Sequence, residues 1–285
     1  MISFKQYINE GGNAVENVGP INQENVAATM KSIYTKLLPK LGLTKADTRL
    51  LGSTGKKKPG GSSGDIDIAI DLTKLSEKYG TTDVKKIMDE VAKVSSTVSP
   101  SVNNMRGLGI VSLAFPIVDT DGKQPDSFVQ LDLIGADNLE WANWIYYSPA
   151  EIESEWKGLY RNSLLSAVSH HAGRTGDDVE WSRKLLHFGT GLHNVSFSKQ
   201  GKKGMLKKGK EVSRQFLSKE PQQVIDQLLG PKFKAGDINT FEDIWAAVNS
   251  NKFLWKKNLK KIVQKSIKDI ENKGYPVPKV MEKFR

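Results

Sequence analysis

The chain of 285 residues is 38% hydrophobic and 26% charged, with a net charge of +10 and no cysteine. This balance is typical of a globular protein, the lack of cysteine excludes disulfides and thiolate metal sites, and no apolar run approaches the roughly 18 residues of a membrane span. The charge is uneven: residues 199–285 contain 21 Lys and Arg against 9 Asp and Glu, whereas residues 1–198 have a net charge of −2, which indicates a polyanion partner for the last third.

The N-terminal region predicts a leader followed by a helix. Residues 1–20 are interpreted as a leader, because a short amphipathic segment ends at Gly11 and Gly12, which would break a helix. In residues 22–41 the apolar side chains recur at steps of three and four, so we expect an amphipathic helix there.

Residues 21–148 are expected to form an α/β (α+β) domain with a mixed sheet. Alternating or continuous apolar patterns predict four strands, at residues 48–51, 65–72, 109–118 and 127–134. A helix is expected over residues 82–94. A loop of residues 52–64, with five glycines and three consecutive lysines, joins the first two strands.

Beyond residue 148 the pattern predicts an all-helical, basic domain that ends at residue 285. One helix is expected just before this boundary, at residues 138–147, and five beyond it, at residues 150–171, 180–188, 213–229, 240–248 and 251–272. A Gly/Lys-rich linker is expected at residues 200–210.

Two carboxylates on the second predicted strand indicate a metal site. Asp65 and Asp67 are one residue apart, so strand alternation places both side chains on one face of the sheet. Carboxylates this close repel one another unless a cation lies between them, and Mg²⁺ prefers oxygen ligands and phosphates. The glycine backbone at Gly52 and Ser53 could approach phosphate oxygens closely. The pattern therefore favours a nucleoside triphosphate with its metal.

These residues resemble a known family signature. Leu51-Gly52-Ser53 is followed by eleven residues and then by Asp65-Ile66-Asp67-Ile68, and Leu131-Asp132-Leu133 supplies a later carboxylate between aliphatic residues. In this order the three elements resemble the DNA-polymerase-β-like nucleotidyltransferase superfamily, over roughly residues 45–135.

The resemblance implies a two-metal mechanism with Mg²⁺ or Mn²⁺. Asp65 and Asp67 would contact both ions, and Asp132 would hold the catalytic ion and accept the proton of the acceptor. Gly52 and Ser53 would bind the β- and γ-phosphates of the nucleoside triphosphate (NTP). Lys56, Lys57 and Lys58 would add positive charge at the phosphates, although the family motif does not specify them.

The favoured reaction transfers a nucleoside monophosphate from an NTP to an RNA 3′ end with release of pyrophosphate. The basic last third is the reason for choosing RNA or another nucleic acid as the acceptor. Transfer to a small molecule or protein, synthesis of a second messenger, and a non-catalytic nucleic-acid-binding protein on this fold are the alternatives.

Several alternatives apply to the site itself. Asp119 and Asp126 compete with Asp132 for the third position, although neither has aliphatic neighbours on both sides. The Gly-Ser and Asp-x-Asp elements also occur as an ordinary turn and a polar edge strand. An inactive relative that only binds nucleotide is a further alternative.

The leader supports a separate hypothesis. The segment MISFKQYINE followed by Gly11 resembles the leader of internal capsid proteins of T-even-like tailed phages, which a maturation protease removes after a hydrophobic-x-Glu sequence, here Ile8-Asn9-Glu10. This resemblance implies a protein packaged in the virion and delivered to the host cytoplasm. The alternative is an ordinary N-terminal helix in a cytoplasmic protein.

Two groups of polar side chains have both a functional and a structural interpretation. His170 and His171, near Asp177 and Asp178, suit either a second metal site or a polar helix end, because adjacent histidines point apart. The segment with Arg161, His171 and Arg174 suits either the nucleotide pocket or packing.

Aromatic and lysine clusters are equally ambiguous. The aromatic residues of segment 141–156 suit base stacking or a hydrophobic core, and the lysines of residues 251–272 suit phosphate contacts or a solvated helix face.

Overall fold

The structure is a computed structural model that describes residues 14–151, 153–154, 156–172, 174–177, 179–199, 209–250 and 258–285. The chain divides into two compact units, with the boundary between residues 152 and 153. The sequence predicts this boundary four residues earlier, at residue 148. The cleavage sequence expected at residues 8–10 lies outside the described residues.

The first unit is built on a five-stranded mixed sheet and a two-residue strand pair. Its strands are β1 (Ile21–Asn22), β2 (Thr48–Leu50), β3 (Ser62–Ser63), β4 (Asp65–Asp71), β5 (Val102–Met105), β6 (Ile110–Pro116) and β7 (Phe128–Ala136). The sheet order is β2-β4-β7-β6-β5, with β4 and β7 parallel and the other neighbours antiparallel.

Alternation divides the central strands into an apolar face and a polar face. Ile66, Ile68 and Ile70 of β4 are fully buried, and they share one hydrophobic core with Leu131 and Leu133 of β7. The side chains between them, including the three carboxylates discussed below, therefore point to the opposite face. The core fixes the register, because a shift of one residue would exchange the two faces.

Among the described residues, the first unit has four α-helices; the first three pack against this core, and the fourth packs against Leu51, Ala69 and Ala136. They are α1 (Gln23–Ser32), α2 (Leu72–Tyr79), α3 (Val84–Ser95) and α4 (Leu139–Ile145). The helix expected over residues 22–41 is α1, followed by a π-helical stretch, Ile33–Leu37, and a 3₁₀ turn, Leu38–Leu41. The side chain of Asp71 caps α2 by accepting hydrogen bonds from the amides of Thr73 and Lys74, so the chain leaves β4 directly into a helix.

The second unit contains helices and an antiparallel sheet. Its elements are α5 (Gly158–Ala172), β8 (Thr175–Gly176), β9 (Glu180–His187), β10 (Gly191–Ser198), β11 (Lys210–Ser218), α6 (Pro221–Leu228), α7 (Phe241–Ser250), α8 (Leu259–Asn272) and α9 (Lys279–Glu282). The sheet order is β11-β10-β9-β8.

The prediction of an all-helical second domain is therefore wrong. The segment expected to be a helix at residues 180–188 is strand β9, which pairs along its whole length with β10. The helix expected at residues 213–229 is the end of strand β11 followed by α6. Most of the linker expected at residues 200–210 lies outside the described residues. Within the part of the chain that the structure describes, no helix is both long and apolar enough to cross a membrane.

Candidate active site

The polar face of the first sheet brings three aspartates together. Asp67 of β4 is in register with Asp132 of the parallel strand β7, and Asp65 precedes Asp67 by two residues on the same face. One ligand atom from each carboxylate lies within 4.8 Å of the other two. We call Asp65, Asp67 and Asp132 the aspartate triad.

Burial and mutual repulsion make the triad electrostatically costly without a cation. Burial, and then the charge of Asp132, raise the pKa of Asp65 to about 6. Burial, followed by the charges of Asp65 and Asp132, raises the pKa of Asp67 well above its ordinary value. Both shifts have the sign expected for carboxylates that share a site. A divalent cation would compensate this repulsion, and an all-oxygen donor set suits Mg²⁺ or Mn²⁺.

Gly52 brings the backbone of the loop against the triad. Its φ is +63°, and a Cβ added there would lie 3.0 Å from Oδ2 of Asp67. The loop is anchored on both sides of this point, because the Leu51 amide donates to the Asp67 carbonyl at 2.8 Å and the Thr54 hydroxyl donates to the Asp65 carbonyl at 2.7 Å. Only a residue without a side chain fits this approach.

We expect Gly52→Ala to lower nucleotidyl transfer about 10²-fold, because its methyl group would displace the Asp67 carboxylate, and small displacements of reacting groups have effects of this size. Gly60→Ala is the matched control: its φ is +78°, so the backbone strain of roughly 1–2 kcal/mol is similar, but no atom lies within 4 Å of its Cβ. Transfer rates and thermal unfolding of both variants separate the two effects. Equal activity of the two variants would contradict the close approach to Asp67.

The other phosphate-binding candidates lie in the same loop, but the two lysines contact protein groups. Ser53 is partly exposed, and its carbonyl accepts a hydrogen bond from the Lys56 amide. The Lys56 ammonium donates to the Ser148 carbonyl at 2.7 Å and lies 4.3 Å from the centre of the Tyr147 ring. Lys57 forms an ion pair with Glu151 at 3.2 Å, and the backbone amide of Lys58 also donates to that carboxylate.

Sequence reasoning missed Gln130, which holds Asp132 in place. The Nε2 of this buried side chain donates to both carboxylate oxygens of Asp132, at 3.0 and 3.1 Å. Its Oε1 accepts the backbone N–H of Ala14 at 2.7 Å, which fixes the orientation of the amide. A polar residue two positions before Asp132 in an otherwise apolar strand was the available signal.

We expect Gln130→Leu to lower transfer activity and Mn²⁺ affinity by about 10- to 100-fold, the usual effect of losing a partner that orients a ligand. Leucine has no hydrogen-bond donor for Asp132 and adds no charge. Gln124→Leu is the matched control, because Gln124 also bonds to the N-terminal segment, through the Pro20 carbonyl and the Asn22 amide, but does not contact the triad. Loss of Mn²⁺ affinity in both variants alike would show a general folding effect.

Ser112 and Tyr146 complete the surroundings of the triad. Ser112 of β6 is in register with Asp132, is fully buried, and its hydroxyl has no hydrogen-bond partner among the described residues. Burial, and then the Asp67 charge, raise the pKa of Tyr146 to about 12, so this phenol stays protonated at neutral pH. The Ser112 hydroxyl therefore remains available as a hydrogen-bond donor at the polar face.

The structure does not bring the competing carboxylates to the triad. Asp119 lies in the loop after β6, where one oxygen accepts the amides of Asp121 and Gly122. Asp126 lies near the end of the same loop with a φ of +53°. Within the described residues, the only group of three or more side chains that could hold a metal is the aspartate triad.

The ambiguous groups of the sequence have mainly structural contacts. Trp141 and Trp144 are buried. Arg161 is fully buried, with Nε donating to the Ile238 carbonyl at 3.0 Å. His170 and His171 lie at the end of α5. Asp177 accepts the amides of Val179 and Glu180 in a turn, and Asp178 lies outside the described residues.

Comparison with protein-family models found no match, and comparison with functionally characterised proteins found no relative.

Proposed function

We propose that the protein is a metal-dependent nucleotidyltransferase that transfers a nucleoside monophosphate from an NTP to an acceptor hydroxyl. The observation on which the proposal rests is the aspartate triad, with ligand atoms within 4.8 Å of one another and the backbone of a glycine-rich loop close to Asp67. An ordinary turn and edge strand would not need three carboxylates on one partly buried face. Their burial destabilises the ionised form and is typical of a functional site.

The donor set fits Mg²⁺ or Mn²⁺. Asp65, Asp67 and Asp132 would hold the metal, and the raised pKa values of Asp65 and Asp67 reflect a charge repulsion that a cation would relieve. When bound, divalent metal lowers the pKa of the acceptor hydroxyl and neutralises the leaving pyrophosphate.

The residues of the chain then have separate tasks. In the transfer, the acceptor oxygen forms a bond to the α-phosphorus, the bond from that phosphorus to the bridging oxygen breaks, and pyrophosphate leaves with the electron pair. Asp132 would accept the proton of the acceptor hydroxyl, while Gln130 holds its carboxylate in one orientation. The Ser53 amide would bind the β- and γ-phosphates, whereas the Gly52 amide already donates to the Tyr146 carbonyl at 3.3 Å.

The favoured acceptor is the 3′ end of an RNA. Its basis is the net charge of +12 over residues 199–285, because a small acceptor would not need so many cations. The same charge supports a nucleic acid in general, so the acceptor class is the part of the proposal that an assay has to identify.

The test measures pyrophosphate release and product labelling with each NTP in turn and Mg²⁺. Acceptors are offered as separate classes: total RNA, single-stranded DNA, protein, small-molecule alcohols, and no acceptor. The Asp65→Ala/Asp67→Ala double variant is the control for contaminating enzymes. We expect pyrophosphate release and label on RNA with the wild-type protein alone.

Other outcomes would change the proposal in defined ways. Pyrophosphate release without labelled RNA would contradict RNA as the acceptor and identify a small molecule, a protein or a cyclic product instead. No turnover with any NTP and acceptor, together with nucleic-acid binding that survives in the double variant, would contradict enzymatic activity.

A further inference from the structure

The sheet of the second unit presents aromatic rings and arginines on one face. Trp181 and Arg183 are two residues apart on β9, and Phe197 of β10 lies directly opposite Trp181. Arg214 and Phe216 of β11 lie opposite Val195 and His193 of β10. Because side chains alternate, these positions belong to one face. We call Trp181, Arg183, Phe197, Arg214 and Phe216 the arginine–aromatic face.

The rings on this face are arranged with cations beside them. Trp181 and Phe197 are nearly parallel, with an interplanar angle of 12° and centroids 5.4 Å apart. The Arg183 guanidinium lies 4.7 Å from the Phe197 centroid, and Arg174 and Lys199 lie 5.7 and 5.5 Å from the Trp181 ring. Stacked rings beside cations provide both π-faces and positive charge.

The outer strand leaves part of this face in solvent. Phe216 is 55% exposed and belongs to β11, at the edge of the sheet. Its ring is therefore accessible to a ligand from solvent.

The charge at the face is mainly positive. Arg214 is paired with Glu211, whereas the buried Nε of Arg183 has no hydrogen-bond partner among the described residues. Burial lowers the pKa of His170 to about 3, and the neighbouring Arg183, His171, Lys265 and Arg174 around the end of α5 act in the same direction. This region attracts an anion.

We infer that the arginine–aromatic face binds single-stranded nucleic acid, with bases stacking on the rings and phosphates contacting the arginines. The inference rests on the proposed function, for which the face would hold the polynucleotide acceptor. Duplex is disfavoured because its bases are already stacked and cannot reach the rings, whereas every unpaired base has a π-face. An acidic protein partner would use the cations but would leave the aromatic rings without a role.

The test is fluorescence anisotropy of the full chain with a labelled oligouridylate of about 20 nucleotides, in EDTA and without NTP, over a series of salt concentrations. We expect Phe216→Ala to weaken binding at least about fivefold without changing the salt dependence, because one stacking contact is lost. We expect Arg183→Ala to reduce the slope of log K against log salt by about 0.7, the value for one phosphate contact on a single strand.

The controls remove similar groups elsewhere. Val280→Ala truncates another exposed apolar side chain, 48% exposed, and Arg106→Ala removes an exposed arginine of the first unit, and both variants should bind as the wild type does. Circular dichroism checks the folding of each variant. If Arg183→Ala unfolds, the Phe216→Ala variant still tests the inference, because Phe216 is exposed and its truncation should leave the fold intact.

Equal affinity of Phe216→Ala and Val280→Ala would overturn the inference, as would binding of duplex RNA or polyglutamate as tightly as the oligouridylate. If the wild-type protein binds the oligouridylate in a way that depends on Phe216 but shows no nucleotidyl transfer, only the proposed function is contradicted. Transfer to RNA that is insensitive to Phe216→Ala would contradict only this face.

Discussion

We expect the Asp67→Asn variant to lose nucleotidyl transfer by at least about 10³-fold while it keeps its fold. Asp67 is adjacent to both other members of the triad. It is the register partner of Asp132 on the neighbouring strand, and it follows Asp65 by two residues on its own strand. An asparagine has nearly the same shape but has no charge to hold a divalent cation. The measurement is kcat/KM for transfer, with circular dichroism as the check on folding.

The matched control for this prediction is Asp119→Asn. Asp119 is another aspartate of the first unit, and its role is to accept amides within its own loop, which asparagine can also do. We therefore expect nearly unchanged activity. Similar losses in both variants, or wild-type activity in Asp67→Asn, would contradict the assignment of the triad as the metal site.

We expect Asp65→Asn to stabilise the metal-free protein at pH 7 by about 1–3 kcal/mol, although it abolishes activity. The pKa of Asp65 is raised from 3.8 to about 6 by burial and by Asp132. Each unit of such a shift corresponds to about 1.4 kcal/mol between the two protonation states. Removing the charge removes this cost.

The same shift determines the pH dependence. The folded state holds the proton of Asp65 more tightly than the unfolded chain does. Protonation of Asp65 therefore contributes its full stabilisation of the folded state below about pH 4, and this contribution is lost as the pH rises to about 6. Metal-free wild-type protein should therefore lose stability across this window, and Asp65→Asn should lose less. Added Mg²⁺ should stabilise the wild type at pH 7 and leave the variant unchanged.

Denaturant unfolding in EDTA at pH 4 and pH 7 measures both effects. Asp71→Asn is the control, because it removes a charge from the same strand, while asparagine can still cap α2. If Asp65→Asn is less stable than the wild type at pH 7, or if Asp71→Asn gains as much free energy of unfolding, the electrostatic cost assigned to the triad is wrong. Stabilisation with loss of activity is characteristic of a site maintained for function.

The strands of the aspartate triad were the most predictable part of the chain because their signals are local. The alternation of Asp65, Ile66, Asp67 and Ile68 predicted strand β4, and the aliphatic neighbours of Asp132 predicted β7. Strand β5 was missed, because its sequence, VNNM, has no alternating apolar pattern. Gln130 was missed because the orientation of its amide depends on the backbone of Ala14, which is distant in sequence. Without that contact, the sequence does not indicate that Gln130 donates to Asp132.

The second unit shows where local reasoning fails. In β9 the apolar residues Trp181 and Leu185 are four apart, which is helical spacing, yet the segment pairs with β10. Strand pairing depends on residues far along the chain, and it overrides a local preference of this size. The arginine–aromatic face was invisible in the sequence for the same reason, since it exists only when β9, β10 and β11 are in register.

The most direct test of nucleotidyl transfer by the triad compares α-labelled with γ-labelled NTP in otherwise identical reactions with Mg²⁺ and RNA. We expect the α-label to appear in RNA and the γ-label to leave as pyrophosphate, and we expect neither result with Asp67→Asn. Label from the γ-position on the acceptor, or an α-label in RNA that persists in Asp67→Asn, would contradict nucleotidyl transfer by the triad.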